Sequence, residues 1–335
     1  MTTVAHKKPK LLITRATFPD LLEQLKAHFD VCDNQDDVVW SAPELQQALQ
    51  GCDAALTTLG DAINAPLLAH CPQLRMCANN AVGYNNFDLA AMTAHGVVAT
   101  NTPDVLTETT ADFGFALLLA AARRVTESEH YLRDGRWQRW SYDMLLGQDV
   151  HGSTLGILGM GRIGQAIAKR GAFGFGMRVI YHNRSRLDAA TEQACQAQYV
   201  DKQTLLQQAD HLVLVLPYTA DNHHAIGQEE LAQMQPHATL INIARGGIVD
   251  DAALVQALKH GTIAAAGLDV FEGEPDVPPD LLVCNNVVLT PHIASASEKT
   301  RRAMAQVAID NLISYFTKGQ ALNPLNPEAQ TQQGA

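Results

Sequence analysis

Three side chains in the C-terminal half have the types and placement to move a proton beside an anionic substrate. They are Arg245 in N-I-A-R-G-G-I-V-D, Glu274 in G-L-D-V-F-E-G-E-P and His292 in L-T-P-H-I-A-S-A. Each lies at or just after a short apolar run that reads as a strand, and open α/β sheets bind ligands outside the carboxyl ends of their strands. A guanidinium pairs with a carboxylate and polarises the carbonyl next to it. An imidazole titrates near neutrality, which suits it to protonate the alkoxide left when hydride adds to a ketone. A carboxylate at the other ring nitrogen holds the imidazole and favours its protonated form. These are the parts needed to reduce a 2-keto acid. Singly each has an ordinary reading: a surface Arg, a Pro-His turn, a solvated Glu before Pro275.

The cofactor for such chemistry has its own signature upstream. Leu155 to Gly164 reads L-G-I-L-G-M-G-R-I-G, an apolar strand-like run ending in Gly159, Gly161 and Gly164, and a helix-compatible segment follows from Gln165. Gly159 allows a tight turn, Gly161 lets a pyrophosphate approach, and Gly164 lets strand and helix pack closely. A lone G-x-G-x-x-G is weak; its position between strand and helix is the context that supports dinucleotide binding.

The elements that must hold these residues follow a β/α alternation. In the first hundred residues Lys10–Thr14, Ala54–Thr57, Leu74–Ala78 and Val97–Ala99 read as strands. Pro19–His28, Pro43–Gln50, Ala65–His70 and Asp88–His95 read as helices. Leu106 to Arg133 reads as one long helix, opened by Thr107 or Asp104. A second alternation predicts six strands: Leu155–Leu158, Arg178–Tyr181, Leu212–Leu216, Thr239–Ile243, Ala265–Leu268 and Val287–Thr290. Six is the number in a full dinucleotide-binding sheet. Glu298–Thr317 reads as a helix returning to the N-terminal domain, and the polar tail after Asn323 as extended or disordered.

With 335 residues, two domains are expected. The composition, 47% hydrophobic and 18% charged, is that of a globular protein with a large core. A net charge of −11 argues against nucleic acid and anionic membranes as partners. Six scattered cysteines without a C-x-x-C pair point to reduced thiols and a cytoplasmic location. No signal peptide or membrane-spanning run is evident. His223 and His224 have no further candidate ligands at metal-binding spacing, so they read as structural, and no metal is expected.

Taken with N-A-V-G-Y-N-N-F-D (80–88), T-E-T-T-A-D-F (107–113) and L-P-Y-T (216–219), the glycine loop and the three catalytic segments resemble the D-isomer-specific 2-hydroxyacid dehydrogenases, from about Leu11 to Asn323. Within that family the chain looks most like bacterial glyoxylate/hydroxypyruvate reductases that also accept 2-ketogluconate. The resemblance implies an α/β protein of two doubly wound parallel-sheet domains. A Rossmann dinucleotide-binding domain (105–293) would be inserted into a flavodoxin-like substrate domain (1–104 and 294–335). The helices near 106–133 and 297–317 would cross between them. It implies that Arg245 binds substrate, Glu274 orients His292, and His292 donates the proton. Val82 and Gly83 would offer backbone N–H groups to the substrate carboxylate, with Ser295 nearby. Around the cofactor it places Thr109, Arg162, Ile163, Leu216, Pro217, Ile243, Ala244 and Asp269, the last meeting the nicotinamide carboxamide. Asn85 stands where many relatives carry Asp. Trp137 and Trp140 fit a homodimer interface.

Folds that choose NAD place an acid about 20 residues past the glycine loop, where it bonds the ribose 2′-hydroxyl. Here that region offers Asn183, Arg184, Ser185 and Arg186, with no acid before Asp188. Two guanidiniums and a hydroxyl suit a 2′-phosphate, so NADPH is preferred, with NADH as second choice. The rivals to a glyoxylate and hydroxypyruvate reductase are a dehydrogenase for 2-ketogluconate or another D-2-hydroxyacid, a phosphite dehydrogenase, and a nucleotide-sensing corepressor-like binding protein. Formate is disfavoured, because formate dehydrogenases of this superfamily pair the His with Gln.

Overall fold

The computed structural model describes residues 7–332. They form two compact units: one runs to Leu106 and resumes at Ser297, the other is Thr107–Ala296.

In the first unit, five parallel strands, β1 (Lys10–Ile13), β2 (Asp30–Asp33), β3 (Ala54–Thr57), β4 (Met76–Asn79) and β5 (Val98–Thr100), lie in the order β2-β1-β3-β4-β5. This is the flavodoxin-like order. Sequence reading missed β2, whose D-V-C-D run is mostly exposed at a sheet edge and carries no apolar stripe. The helix Glu298–Lys318 packs Ala305, Ala308, Ile309 and Leu312 into one core with Leu11, Ile13, Leu25 and Val98. The tail beyond Asn323 is not extended or disordered as expected through Gln332. Pro324 bridges Thr100, and the Leu325 amide donates to the Ala99 carbonyl at 2.8 Å. The side chain of Asn326, buried, accepts from the Ala99 amide at 2.8 Å and donates to the Val97 carbonyl at 3.0 Å. A short helix, Glu328–Gln332, follows, with Ala329 in the core. Polar composition concealed this docking because its decisive bonds are made by an amide side chain.

The second unit has seven parallel strands, not six. They are β6 (Thr154–Leu158), β7 (Arg178–His182), β8 (Ala197–Tyr199), β9 (His211–Leu214), β10 (Thr239–Asn242), β11 (Ala265–Leu268) and β12 (Val287–Leu289), in the order β12-β11-β10-β9-β6-β7-β8. The chain reverses its direction of winding between β6 and β9, the switch point where such sheets bind ligands. The overlooked strand is β8, a three-residue edge strand, A-Q-Y, with no fully buried residue. Apolar clusters cover both faces of this sheet, one containing Leu205, Leu212 and Leu240, the other Phe115, Ile157 and Val213.

The expected long helix is two: Thr107–Ala122 and Val125–Arg133. Between them Arg124 takes a left-handed φ of 54°. The returning chain causes the break. The Gln148 amide takes the Ala122 carbonyl at 2.8 Å, and Gly147 passes so close that a Cβ there would overlap that oxygen. Arg124 then fastens the corner by bonds to both oxygens of Glu127 and to the Leu146 carbonyl. Neither long-range partner is visible in local helix propensity. No helix among the described residues is long and apolar enough to cross a membrane.

Candidate active site

Residues Asn242 to Arg245 leave the end of β10 in a turn held by one side chain. Asn242 accepts from the Ala244 amide at 3.0 Å and donates to the Arg245 carbonyl at 3.1 Å. Gly246 follows where any side chain would overlap the Phe271 carbonyl, so the turn that presents Arg245 lies directly on the loop that carries Glu274. Burial draws the Arg245 guanidinium below its ordinary pKa, while the charge of Glu274 opposes this.

His292 is presented by a loop stapled from below. Asp269, fully buried at the end of β11, accepts from the Thr290 hydroxyl at 2.7 Å and from the Ile293 and Ala294 amides at 2.8 Å each. The His292 amide donates to the Asp269 carbonyl at 2.9 Å, and His292 itself sits at a left-handed φ of 53°. That conformation is rare outside glycine and persists only where surroundings impose it. The bonds of the Asp269 carboxylate thus hold the loop that carries His292.

Glu274 and His292 meet: Nδ1 lies 2.7 Å from Oε2, with 29% of the His and 32% of the Glu side chain exposed. Glu274 Oε1 accepts from the Phe271 amide at 2.9 Å, which fixes the carboxylate plane. Burial pushes the Glu274 carboxyl up, but the His292 bond and charge, the Phe271 amide and Arg245 together hold it below the usual glutamate range. The carboxylate is therefore ionised at neutral pH. Arg245, Glu274 and His292 lie within electrostatic reach of one another, with the Glu274 carboxylate on Nδ1 of the imidazole rather than Nε2.

The glycine turn fits a dinucleotide. A Cβ at Gly159 (φ 101°) would fall 2.7 Å from the Leu216 amide nitrogen, and one at Gly164 would fall 2.5 Å from the Gly159 carbonyl, so both must be glycine. At Gly161 a Cβ would meet nothing within 4 Å: the approach is open. The helix Arg162–Lys169 starts there, and the first amides of a helix have no acceptor within it and attract phosphate. Arg162 and Ile163 are its first two residues. Leu216 and the exposed Pro217 follow β9 beside the turn, and Ile243 and Ala244 follow β10. Thr109 lies in the first turn of Thr107–Ala122, which packs closely on β10 because Gly114 leaves room for Ile243.

The four residues read as 2′-phosphate ligands divide. Asn183 accepts from the Met160 amide at 2.6 Å and so braces the glycine turn. Arg186 makes a two-pronged pair with Glu192, which the buried Tyr181 hydroxyl also bonds at 2.7 Å. Arg184 and Ser185 are exposed between them. The first acid after them, Asp188, caps the next helix by accepting from the Thr191 amide.

In the other unit, Val82 and Gly83 are half-buried on the loop after β4. Asn101 donates to the Val82 carbonyl at 2.7 Å and Asn79 to the Gly83 carbonyl at 2.9 Å, which fixes both peptide planes. Ser295, three residues past His292, is half-buried.

Sequence reasoning missed Asn242, whose side chain holds its own turn, and Gly246, whose role depends on its contact with the loop at Phe271. It also treated His223 and His224 as lacking further ligands, whereas the structure brings Glu272 to them: the ligand atoms of the three lie within 4.8 Å of one another. Glu272 is 48 residues from His224, beyond any local motif.

Residues 115–294 match the family model described as D-isomer specific 2-hydroxyacid dehydrogenase, NAD binding domain. The chain is 47% identical over 311 residues to the glyoxylate reductase of Korarchaeum cryptofilum, covering 92% of this chain and 93% of that protein. It is 45% identical over 312 residues to the glyoxylate reductase of Thermococcus gammatolerans, with the same coverage. Among solved structures it resembles the NADPH-dependent glyoxylate/hydroxypyruvate reductase of Sinorhizobium meliloti in complex with NADP and malonate. There the TM-score is 0.84 and the identity 38%, covering 96% of this chain and 98% of that one.

Proposed function

The chain belongs to the D-isomer specific 2-hydroxyacid dehydrogenase family, and from that premise we propose that it reduces glyoxylate to glycolate and hydroxypyruvate to D-glycerate, preferring NADPH over NADH. The observation that carries this reading is the Arg245–Glu274–His292 constellation at the strand ends of a dinucleotide-binding sheet. The nicotinamide, when bound, supplies the hydride. Arg245 pairs with the substrate carboxylate and polarises the keto group. His292 gives its proton from Nε2 to the carbonyl oxygen as negative charge develops there, and Glu274 at Nδ1 compensates the imidazolium. We assign the Val82 and Gly83 amides to substrate as backbone donors; that of Gly83 lies in the peptide plane that Asn101 fixes through the Val82 carbonyl. The relatives named glyoxylate reductase support this substrate class over 2-ketogluconate, phosphite and a corepressor-like binding role.

For the cofactor, we assign the 2′-phosphate to Arg184 and Ser185; Glu192, a carboxylate of the same region, is already paired with Arg186. The bound NADP of the Sinorhizobium meliloti neighbour is in keeping with this preference. Leu132, Trp137, Trp140, Tyr142 and Leu146 are all more than half exposed on one stretch, with the Trp140 and Tyr142 rings 4.7 Å apart. We assign that stretch to a homodimer interface, and the enzyme to the cytoplasm, where its six unpaired cysteines stay reduced.

The test is a panel of kcat/KM for glyoxylate, hydroxypyruvate, 2-ketogluconate and pyruvate with each cofactor. Highest values are expected for the first two with NADPH; a maximum at 2-ketogluconate reassigns the substrate, and no turnover at all favours the binding-protein reading. Arg184→Ala should raise KM for NADPH by roughly 10–100-fold and leave KM for NADH nearly unchanged, the scale of one charge-assisted bond. Equal effects on both remove the NADPH preference.

A further inference from the structure

We infer that His223, His224 and Glu272 form a binding site for a divalent transition ion, Zn²⁺ or Co²⁺, separate from the catalytic pair. Each imidazole turns its Nε2 toward a different oxygen of one carboxylate. His224 Nε2 lies 2.9 Å from Glu272 Oε2 and His223 Nε2 lies 3.9 Å from Oε1. The two rings stack with centroids 3.8 Å apart, so both nitrogens face the same side. Two imidazole nitrogens and a carboxylate, with one position left for water, is an established ligand set for Zn²⁺.

The groups behind the ligands carry the inference further. A ligating His ordinarily bonds its other ring nitrogen to an oxygen that fixes its tautomer and orientation. Here His223 Nδ1 meets the Tyr218 hydroxyl at 3.2 Å, and His224 Nδ1 faces Asp250 Oδ2 at 4.0 Å. The unused nitrogens therefore already have oxygen neighbours, and the Nε2 atoms are turned inward. Asp250 adds a negative charge behind the site, which favours a dication.

The backbone holds this arrangement without a ligand. Asn222 bonds the Thr219 amide and the Pro217 carbonyl, and the His224 amide donates to the Gly247 carbonyl at 2.7 Å. Gly247 leaves room for the cluster: a Cβ there would press on Tyr218 at 3.2 Å and His223 at 3.3 Å. Ligand atoms spread over as much as 4.8 Å must close to about 3.3 Å around a tetrahedral ion with bonds near 2.0 Å. Side chains that are 36–50% exposed have the freedom to do so.

The experiment is a titration of the untagged full-length protein with CoCl₂ in a non-coordinating buffer, read by the visible absorption of tetrahedral Co²⁺ and by calorimetry. One saturable site per chain is expected, bleached when ZnCl₂ displaces the cobalt. His223→Asn, His224→Asn and Glu272→Gln should each weaken Co²⁺ binding by at least about tenfold. Asn accepts the left-handed φ of 52° at position 224, and Glu272→Gln keeps the loop intact, so a misfolded His variant leaves a second one to decide. His292→Gln should leave the site unchanged. The inference is overturned if the parent shows no saturable binding below millimolar Co²⁺, if the three variants bind as it does, or if His292→Gln abolishes the signal. None of these readouts depends on turnover, so they stand apart from the assignment of substrate.

Discussion

Two imidazole–carboxylate pairs start from the same short loop: Glu274 with His292 at 2.7 Å, and Glu272 with His224 at 2.9 Å. The pair geometry is nearly the same, and the surroundings separate them. Glu274 has the Phe271 amide on its second oxygen and the Arg245 charge nearby, and it engages Nδ1 of its imidazole rather than Nε2. Glu272 is half exposed, shares Nε2 instead, and has a second imidazole stacked alongside. A His–Glu contact alone therefore does not define a proton donor. On the roles proposed above, which ring nitrogen the carboxylate takes, and what stands behind it, separates a proton donor from a cation ligand.

The strongest way to break this contrast is at His292. His292→Ala should lower kcat by roughly 10²–10⁴-fold, the usual contribution of a positioned acid. Steady-state kinetics showing retained turnover would place the donor elsewhere and make the two pairs equivalent. Next comes Glu274→Gln, which keeps an acceptor for Nδ1 but removes the charge. A loss in kcat of roughly 10–10³-fold is expected, with KM changed far less, because the charge matters as the imidazolium forms and relaxes. A change confined to KM would point to a binding role only.

The smallest effect is on stability. Glu274 is held below its unfolded value of about 4.3, so its ionised form stabilises the fold at pH above that value, and this contribution fades as pH falls through the lower folded value. Glu274→Gln should then lose on the order of 1–2 kcal/mol at neutral pH, the worth of a hydrogen bond to a charged group, and should converge with the parent in acid. Denaturant midpoints across that range measure the difference. A constant gap at every pH would assign it to packing.

Much of the site was legible because its residues sit where the sequence pattern changes. The Gly159–Gly164 turn and the three segments of Arg245, Glu274 and His292 each interrupt an apolar run, and strand ends are easy to find when strands are buried on both faces. What escaped reading lacks that pattern or acts at long range. The edge strands β2 and β8 need bury only part of their surface. The break after Ala122 depends on an amide 26 residues further on, and the Asp269 staple on backbone amides more than 20 residues away. Asn183 is the most instructive. Its position past the glycine loop pointed to the cofactor, yet its side chain is bound to the Met160 amide of the loop itself. Spacing located the neighbourhood but could not show which atoms were already engaged.

Asn326 has a consequence beyond holding the tail. Strand β5 ends its sheet, and the amide and carbonyl groups along such a border are a template for any extended segment of another molecule. By occupying the Ala99 amide and the Val97 carbonyl with one side chain, while Leu325 takes the Ala99 carbonyl, the chain seals its own border. A version ending at Asn323 should expose it, as well as remove Leu325 and Ala329 from the apolar cores, and form concentration-dependent aggregates with a cross-strand infrared signature. The segment from Pro324 to Glu328 would then serve not only to complete one molecule's fold but also to keep neighbouring molecules apart.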